Sequence, residues 1–297
     1  MHKLVIISKD VTQLEEYNFM SDTIVTIGKS VIQHGKENDR IYLMKLKTQD
    51  VLGIIQRLDK MAKQNDYSKV FAKIPAEAKA NFIQSDYTQE ATIPCFFEGR
   101  EDAFFMGKYF SPERSKQKQA DIIEDVLKVT QQKENIQKIA PLEKPFVCSK
   151  AREQDAQQMA DVYKKVFASY PFPIDDPAYI RKTMNENIIY YVIWDKDKIA
   201  GIASSEMDIE GENVEMTDFA VLPEYRGNHF SIYLLDQMET EMKKQGIKTT
   251  YTIARALSYG MNSTFSKMGY AFGGTLVNNT NISGGLESMN VWYKALI

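Results

Sequence analysis

The stretch TDFAVLPEYRGNHFS, residues 217–231, carries the strongest structural signal in this chain. Residues 219–222 are apolar and rich in strand-forming types, and Pro223 ends that strand. The residues after it repeat apolar side chains at the spacing of one helix face, at Ile232, Leu235, Met238 and Met242. The stretch therefore predicts a strand, a tight turn and a helix in immediate succession.

The turn itself, Arg226-Gly227-Asn228, has the features of an anion-binding site. Successive backbone N–H groups at a helix N-terminus, with the positive end of the helix dipole behind them, bind a pyrophosphate without a dedicated side chain. Gly227 allows close approach of the backbone, and Arg226 can add a charge-assisted contact. An ordinary strand–turn–helix corner has the same outline, so the turn alone does not define a function.

The context of the turn resembles the coenzyme A loop of the GNAT N-acetyltransferases, through Val221, Pro223, Tyr225, Arg226 and Gly227. His229 and Ser231 depart from the family pattern, which has small residues there. The resemblance implies acetyl-CoA as the cosubstrate. It also implies a set of cofactor-binding residues, which are Phe219, Ala220, Val221, Arg226, Gly227, Asn228, His229, Phe230, Ser231 and Asn262.

A second stretch downstream is similar to the family's later helix and its exit. It contains an ordered series of matching residues, namely Tyr259, Asn262, Phe265, Lys267, Gly269 and Tyr270. Gly269 is placed as the residue that follows a helix C-terminus. With a helix over 155–167 and strands over 187–194 and 199–209, the order of elements is the one that a GNAT fold requires.

Several strings resemble the β-lysine N-acetyltransferases more closely. They are ASYPFPI (168–174), ASSEMD (203–208), EMTDFA (215–220), EATIP (90–94) and GREDAFFMGKY (99–109). This resemblance implies acetyl transfer from acetyl-CoA to the side-chain (N6) amine of β-lysine. It also implies a functional link to a lysine 2,3-aminomutase.

Removal of a proton from the substrate amine is the chemical problem that such an enzyme must solve, because a lysine-type ammonium has a pKa of about 10.4. Glu215 is the predicted general base, with Glu206 and Asp218 as the next candidates. A solvent-facing role for Glu215 is the alternative. Glu206, Asp218, Tyr170 and Phe172 are predicted to bind the substrate.

Reprotonation of the coenzyme A thiolate usually falls to a tyrosine on the second-motif helix, where this chain has Phe265. Tyr259 is the predicted substitute, and Ser266 is a second possibility. A thiolate with a pKa near about 8.5 can also leave unassisted. The backbone N–H groups of residues 219–221 are expected to polarise the thioester carbonyl.

The composition excludes several other classes. The chain has 297 residues, 43% of them hydrophobic, and a formal net charge of −3. That charge and the lack of a basic stripe argue against nucleic-acid binding. No apolar run is long enough for a membrane span, and no signal peptide is evident. The two cysteines, Cys95 and Cys148, suggest a reduced cytoplasmic protein, and the three scattered histidines suggest no metal site.

The sequence predicts an α+β protein with two domains and a connector. Residues 145–297 form the GNAT domain, with a mixed, mostly antiparallel sheet and flanking helices. Residues 116–144 form a helical connector, and residues 1–115 form an N-terminal α+β domain with strands over 24–33 and 41–46. This domain is either a degenerate half of the same fold or an unrelated cap. Residues 90–109 are the expected wall of the substrate pocket.

Two other functions are compatible with the motifs. A GNAT enzyme for another small amine, such as a polyamine or an antibiotic, would use the same core with a different pocket. A non-catalytic acyl-CoA sensor would keep the phosphate loop and lose the base.

Overall fold

A single mixed sheet, mostly antiparallel, runs through the chain in the computed structural model, which describes residues 22–296. This sheet has 13 strands in the described residues, in the order β1-β2-β3-β4-β6-β5-β12-β13-β11-β10-β9-β8-β7. In chain order the strands are β1 (Thr23–Ile27), β2 (Ser30–Gly35), β3 (Arg40–Lys45), β4 (Lys69–Pro75), β5 (Thr88–Phe97), β6 (Glu101–Tyr109), β7 (Phe146–Lys150), β8 (Ile188–Asp195), β9 (Lys198–Asp208), β10 (Asn213–Val221), β11 (Thr249–Arg255), β12 (Ala271–Ile282) and β13 (Gly285–Ala295).

The helices flank this sheet. In chain order they are α1 (Val51–Gln64), α2 (Lys79–Ile83), α3 (Pro112–Ser115), α4 (Ala120–Gln131), α5 (Ala156–Val166), α6 (Pro177–Met184), α7 (Phe230–Lys244) and α8 (Tyr259–Lys267). The face predicted for α7 is buried: Ile232, Leu235, Met238 and Met242 all belong to one apolar core against the sheet. Gly269 follows α8 with φ +81°, as expected for a residue just past a helix C-terminus.

The two halves of the sheet repeat one order of elements. In the C-terminal half, β10, α7, β11, α8, β12 and β13 follow one another, with β10 parallel to β11 and β13 inserted between β11 and β12. In the N-terminal half, β3, α1, β4, α2, β5 and β6 repeat this arrangement, with β3 parallel to β4 and β6 between β4 and β5. The two halves meet where Ala91 of β5 pairs with Gly274 of β12.

The strand predicted over residues 24–33 is a hairpin instead. A two-residue turn separates β1 from β2, since Ile27 pairs with Ser30. Gly28 adopts φ +67° in this turn, and the Asp50 carboxylate accepts hydrogen bonds from Lys29 N (2.8 Å) and Ser30 Oγ (2.8 Å). Gly28 marks the position of this turn, and the strand-forming residues on both sides of it made the run read as one strand.

The curvature of the long sheet makes its two halves face each other. Aromatic and aliphatic side chains from both halves share one buried cluster, which includes Tyr42, Phe71, Phe105, Tyr251 and Val291. Tyr251 and Phe96 pack edge to face with ring centroids 5.0 Å apart. β3 and β4 therefore lie opposite β10 and β11, although they are distant in the order of strands.

Candidate active site

The site begins where β10 and β11 separate. The two parallel strands pair only at residues 213–215 and 249–251 in the part of the chain that the structure describes. Beyond Glu215 the register of β10 against β9 is broken between Thr217 and Ala220, and Asp218 has φ +55° in this bulge. The bulge turns β10 away from β11, and the gap ends at the turn before α7.

That turn presents free backbone donors. Among the described residues, no acceptor bonds the N–H groups of Gly227 to Ser231. They lie at the N-terminus of a 15-residue helix, where the helix dipole is positive. Gly227 has φ +92°, and a Cβ added to it would meet no atom within 4 Å. A set of free donors at a helix N-terminus has the chemistry to bind an anionic group such as a pyrophosphate.

His229 explains one departure from the expected pattern. It caps α7 with φ +57° and ψ +23°, in the left-handed region that favours glycine. The backbone conformation that a glycine would supply is thus retained by a histidine, and its exposed side chain leaves the turn open. Phe230 contributes only its backbone, because its ring is buried against Phe146 at 4.8 Å between centroids.

A cavity of about 400 Å³ lies beside the gap between β10 and β11. Its lining includes the predicted base and all four residues predicted to bind substrate, namely Glu215, Glu206, Asp218, Tyr170 and Phe172. Glu206 and Glu215 are cross-strand partners on β9 and β10. The structure therefore brings these five residues together in the lining of one cavity.

The carboxylates in this cavity are poised to accept protons. Burial, followed by the charge of Glu206, raises the pKa of Glu215 to about 7. Burial also raises the pKa of Glu206 and of Asp218. A carboxylate with a pKa near neutrality can take a proton from a bound ammonium and release it afterwards.

Asp218 is held more firmly than the two glutamates. Its carboxylate accepts hydrogen bonds from Tyr170 Oη (2.5 Å) and Ser204 Oγ (2.5 Å). The segment that carries Tyr170 is fixed to the N-terminal half, since Gln33 Nε2 donates to the carbonyl of Pro171 at 3.0 Å. Asp218 is thus suited to charge stabilisation, whereas burial outweighs the hydrogen bond with Tyr251 that lowers the pKa of Glu215.

The N-terminal half supplies the facing wall of the cavity through β3 and β4. Arg40, Tyr42 and Lys73 line it, and Lys73 Nζ donates to Tyr251 Oη at 3.0 Å. The expectation that residues 90–109 form this wall is wrong, because β5 and β6 lie in the sheet between the two facing surfaces. Sequence inspection missed Arg40, Tyr42 and Lys73. Arg40 and Tyr42 are two residues apart on β3, and this spacing could have indicated that their side chains lie on the same face of the sheet.

Comparison with known proteins places the chain in a family. A model of the GNAT acetyltransferase domain (Acetyltransf_9) matches residues 148–273. The β-lysine N(6)-acetyltransferase of Methanococcus maripaludis is 45% identical over 92% of this chain and 98% of its own length. This chain belongs to the GNAT acetyltransferases. N-acetyltransferase YodP of Bacillus subtilis is 36% identical over 79% of this chain and 85% of its own length.

Solved structures of GNAT proteins resemble about half of the chain. The ribosomal-protein-S18-alanine N-acetyltransferase of Escherichia coli aligns with a TM-score of 0.45 and 15% identity, over 51% of this chain and 94% of its own. The structure of yncA from Salmonella typhimurium with acetyl-CoA aligns at 0.45 and 13%, over 52% and 95%. The family membership confirms the predicted α+β GNAT fold and an acetyl-CoA-dependent N-acetyltransferase activity.

Asn262 of the second GNAT motif has contacts that do not match its predicted role in binding the cofactor. Asn262 is fully buried, and its side chain donates to the carbonyls of Arg255 and Ser258 and accepts from Asn290 and Trp292. All of its hydrogen-bonding capacity is used within the protein. Its geometry supports a structural role at the base of α8 rather than contact with the cofactor.

Tyr259, the predicted proton donor to the thiolate, lies outside the lining of this cavity. Its hydroxyl donates to Asp125 Oδ2 of the connector helix α4 at 2.5 Å. Ser266 also faces the connector, donating to the carbonyl of Thr130 at 3.0 Å. Phe265 does line the cavity and packs edge to face on Phe219 at 5.6 Å. The packing of α4 on α8, which the sequence did not reveal, engages the hydroxyls of Tyr259 and Ser266 outside the cavity.

Among residues 22–296, no group of three or more metal-binding side chains is present, and no helix is long and apolar enough to cross a membrane. Cys95 and Cys148 are both free thiols.

Proposed function

We propose that this GNAT enzyme transfers the acetyl group of acetyl-CoA to the N6 amine of β-lysine, giving N6-acetyl-β-lysine. The observation that carries the proposal is the charge layout of the cavity. Carboxylates of β9 and β10 line one wall, and the cations Arg40 and Lys73 line the other. A small molecule with two ammonium groups and one carboxylate matches that layout. The similarity to two β-lysine N(6)-acetyltransferases supports it.

Glu215 is the proposed general base. The substrate ammonium, with a pKa of about 10.4, is protonated at neutral pH and cannot attack a thioester. Glu215 lies at the point where β10 and β11 separate, and its raised pKa of about 7 suits proton acceptance. Glu206 and Asp218 stabilise the ammonium before it loses its proton. The neighbouring Lys73 opposes the rise in the pKa of Glu215.

The turn before α7 is the proposed binding site for the pyrophosphate of acetyl-CoA. The free N–H groups of residues 227–231 and the exposed Arg226 fit that anion. Acetyl-CoA supplies the activated acetyl group, and we assign the backbone N–H groups of residues 219–221 to its carbonyl oxygen. The hydroxyls of Tyr259 and Ser266 are engaged elsewhere, which favours unassisted departure of the thiolate.

The resemblance to the β-lysine N-acetyltransferases also leads us to propose that a lysine 2,3-aminomutase supplies the substrate. The free thiols of Cys95 and Cys148 are consistent with a cytoplasmic location.

The test is a comparison of amines. Purified protein with acetyl-CoA should acetylate β-lysine on its terminal amine far faster than α-lysine or spermidine, because buried charges left without partners are costly. Thiol release gives the rate, and mass spectrometry locates the acetyl group. Equal rates on the three amines would contradict the assignment. A faster reaction with spermidine would indicate a polyamine acetyltransferase, and no thiol release with any amine would indicate an acyl-CoA sensor.

A further inference from the structure

Arg40 is a buried cation that lines the cavity and forms no ion pair with any residue that the structure describes. Its side chain belongs to β3 and is 4% exposed. Nη1 donates to the carbonyl of Asn279 (2.5 Å) and to Thr280 Oγ1 (3.2 Å), whereas Nε is buried with no hydrogen-bond partner. In the part of the chain that the structure describes, no carboxylate lies within 4.0 Å of the guanidinium.

Two other buried cations among the described N-terminal residues, Lys69 and Arg114, have acidic partners, whereas Lys73 donates to Tyr251 Oη and forms no ion pair with a described residue. Lys69 Nζ lies 2.9 Å from Glu90 Oε2, and Arg114 Nη1 lies 3.5 Å from Asp39 Oδ2. Burial lowers the pKa of Arg40 to about 10, so the guanidinium remains charged at neutral pH. A buried charge without a counter-ion is costly, and buried charges in proteins are normally paired, so the anionic group of a ligand is a candidate partner for Arg40.

Arg40 also lies at a distinct part of the cavity. Tyr42, two residues along the same strand, places its ring 5.4 Å from the Arg40 guanidinium. Tyr42 lies within electrostatic range of both Arg40 and Glu215, because Glu215 raises its pKa and Arg40 lowers it. Asn279 lines the cavity next to Arg40 and has a buried Oδ1 without a partner. The Arg40 guanidinium thus has a donor without a partner, and the neighbouring Asn279 has an acceptor without a partner.

We propose that Arg40 binds the substrate carboxylate and that Asn279 Oδ1 accepts a hydrogen bond from the inner ammonium of the same molecule. The inference rests on the proposed function and assigns substrate selectivity to the N-terminal half. Nη1 is held by Asn279 and Thr280, so Nε and Nη2 are the guanidinium donors left without a partner among the described residues, and that edge of a guanidinium suits bidentate binding of a carboxylate. The terminal amine then extends toward Glu206 and Glu215, where acetyl transfer takes place. Selection for an amino acid over a plain diamine follows from this arrangement.

The experiment compares β-lysine with 1,4-diaminopentane, which is the same molecule without the carboxylate. In the full-length protein, Arg40→Gln should lower kcat/KM for β-lysine by about 10²–10³-fold, mainly through KM, because it removes one partner of a buried charge pair. Its kcat/KM for 1,4-diaminopentane should stay within about twofold of wild type. Arg100→Gln, which changes an arginine whose side chain is 77% exposed, should leave both substrates unaffected.

Asn279→Leu provides the second arm, with 6-aminohexanoate as the substrate without the inner amine. This variant should lose activity on β-lysine by about tenfold or more and keep its activity on 6-aminohexanoate. Calorimetric binding of acetyl-CoA by each variant reports that the protein is folded.

Several results would overturn the proposal. Equal losses of Arg40→Gln on β-lysine and 1,4-diaminopentane, with acetyl-CoA binding intact, would make Arg40 structural. A carboxylate-selective loss in Lys73→Met but not in Arg40→Gln would move the carboxylate to Lys73. Wild-type activity of Arg40→Gln on β-lysine would refute the contact directly. Failure of the wild-type enzyme itself to acetylate β-lysine would instead refute the proposed function, together with the inference that rests on it.

Discussion

Glu215 is the residue on which the proposed chemistry depends. Its pKa of about 7 predicts that kcat/KM of the wild-type enzyme falls as the pH drops below about 7, because the protonated carboxyl cannot accept the substrate proton. Glu215→Gln should reduce the rate near neutral pH by about 10²–10⁴-fold, with partial recovery in alkali, where free amine is abundant. Rate profiles from pH 5 to 10 measure both effects. A variant with the wild-type rate and profile would transfer the role to Glu206 or Asp218.

Glu215 also affects the stability of the fold. The deprotonated carboxylate that favours catalysis lowers the free energy of unfolding. The folded-state pKa of Glu215 lies above its usual value of 4.5, so the folded protein binds a proton more tightly than the unfolded chain does. This carboxyl therefore destabilises the fold as the pH rises from about 4.5 to 7, by up to about 3 kcal/mol above pH 7. Glu215→Gln should be more stable than wild type at pH 8 and similar to it at pH 4.5. Urea unfolding at the two pH values tests this, with the exposed Glu186→Gln as the control.

At the scale of elements, the N-terminus of α7 is the proposed binding site for the pyrophosphate of acetyl-CoA. Gly227→Glu places a side chain and a negative charge against the proposed pyrophosphate position and should reduce the affinity more than 100-fold by calorimetry. Gly246→Glu is the matched control. Gly246 follows the same helix at its other end, also has positive φ (+80°) and also has open space around its Cβ position. Similar affinity losses in both variants would attribute the effect to backbone strain, and normal affinity of Gly227→Glu would place the phosphates elsewhere.

At the scale of the whole molecule, a buried polar cluster joins the two halves. Glu90 of β5 accepts hydrogen bonds from Lys69 Nζ (2.9 Å), from Tyr109 Oη and from the backbone N–H of Val277 in β12 (3.0 Å). Lys69 in turn donates to the carbonyl of Val277 at 2.8 Å. Both side chains of the ion pair are almost completely buried. The cluster thus holds the N-terminal half, and with it Arg40 and Lys73, against the catalytic half.

Glu90→Ala should therefore lower the free energy of unfolding by about 3–5 kcal/mol, since Lys69 is left buried without a counter-ion. Glu98→Ala removes a partner of Arg100 in an exposed ion pair and should cost less than about 1 kcal/mol. Denaturant unfolding followed by fluorescence and circular dichroism measures both. If Glu90→Ala unfolds like Glu98→Ala, the cluster does not couple the halves.

Local features of this protein were determined by its sequence. The strand, turn and helix of residues 217–231, the buried face of α7 and Gly269 past the end of α8 all depend on neighbours in the chain, so periodicity and turn chemistry predicted them. Glu206, Glu215, Asp218, Tyr170 and Phe172 were chosen largely through family resemblance, and the structure does place them in one cavity.

Only the tertiary structure decided which side chains lie across the cavity from Glu206, Glu215 and Asp218. Arg40 and Lys73 lie more than 100 residues before Glu215, and the curvature of a 13-stranded sheet brings their strands opposite β10 and β11. Sequence periodicity identifies the buried face of a strand but not the surface across from it. Likewise, the contact of Tyr259 with Asp125 depends on how α4 packs on α8, which no local pattern records. The proposed cofactor loop is formed by one segment of the chain, whereas the proposed substrate cavity is formed by two halves joined by long-range strand pairing.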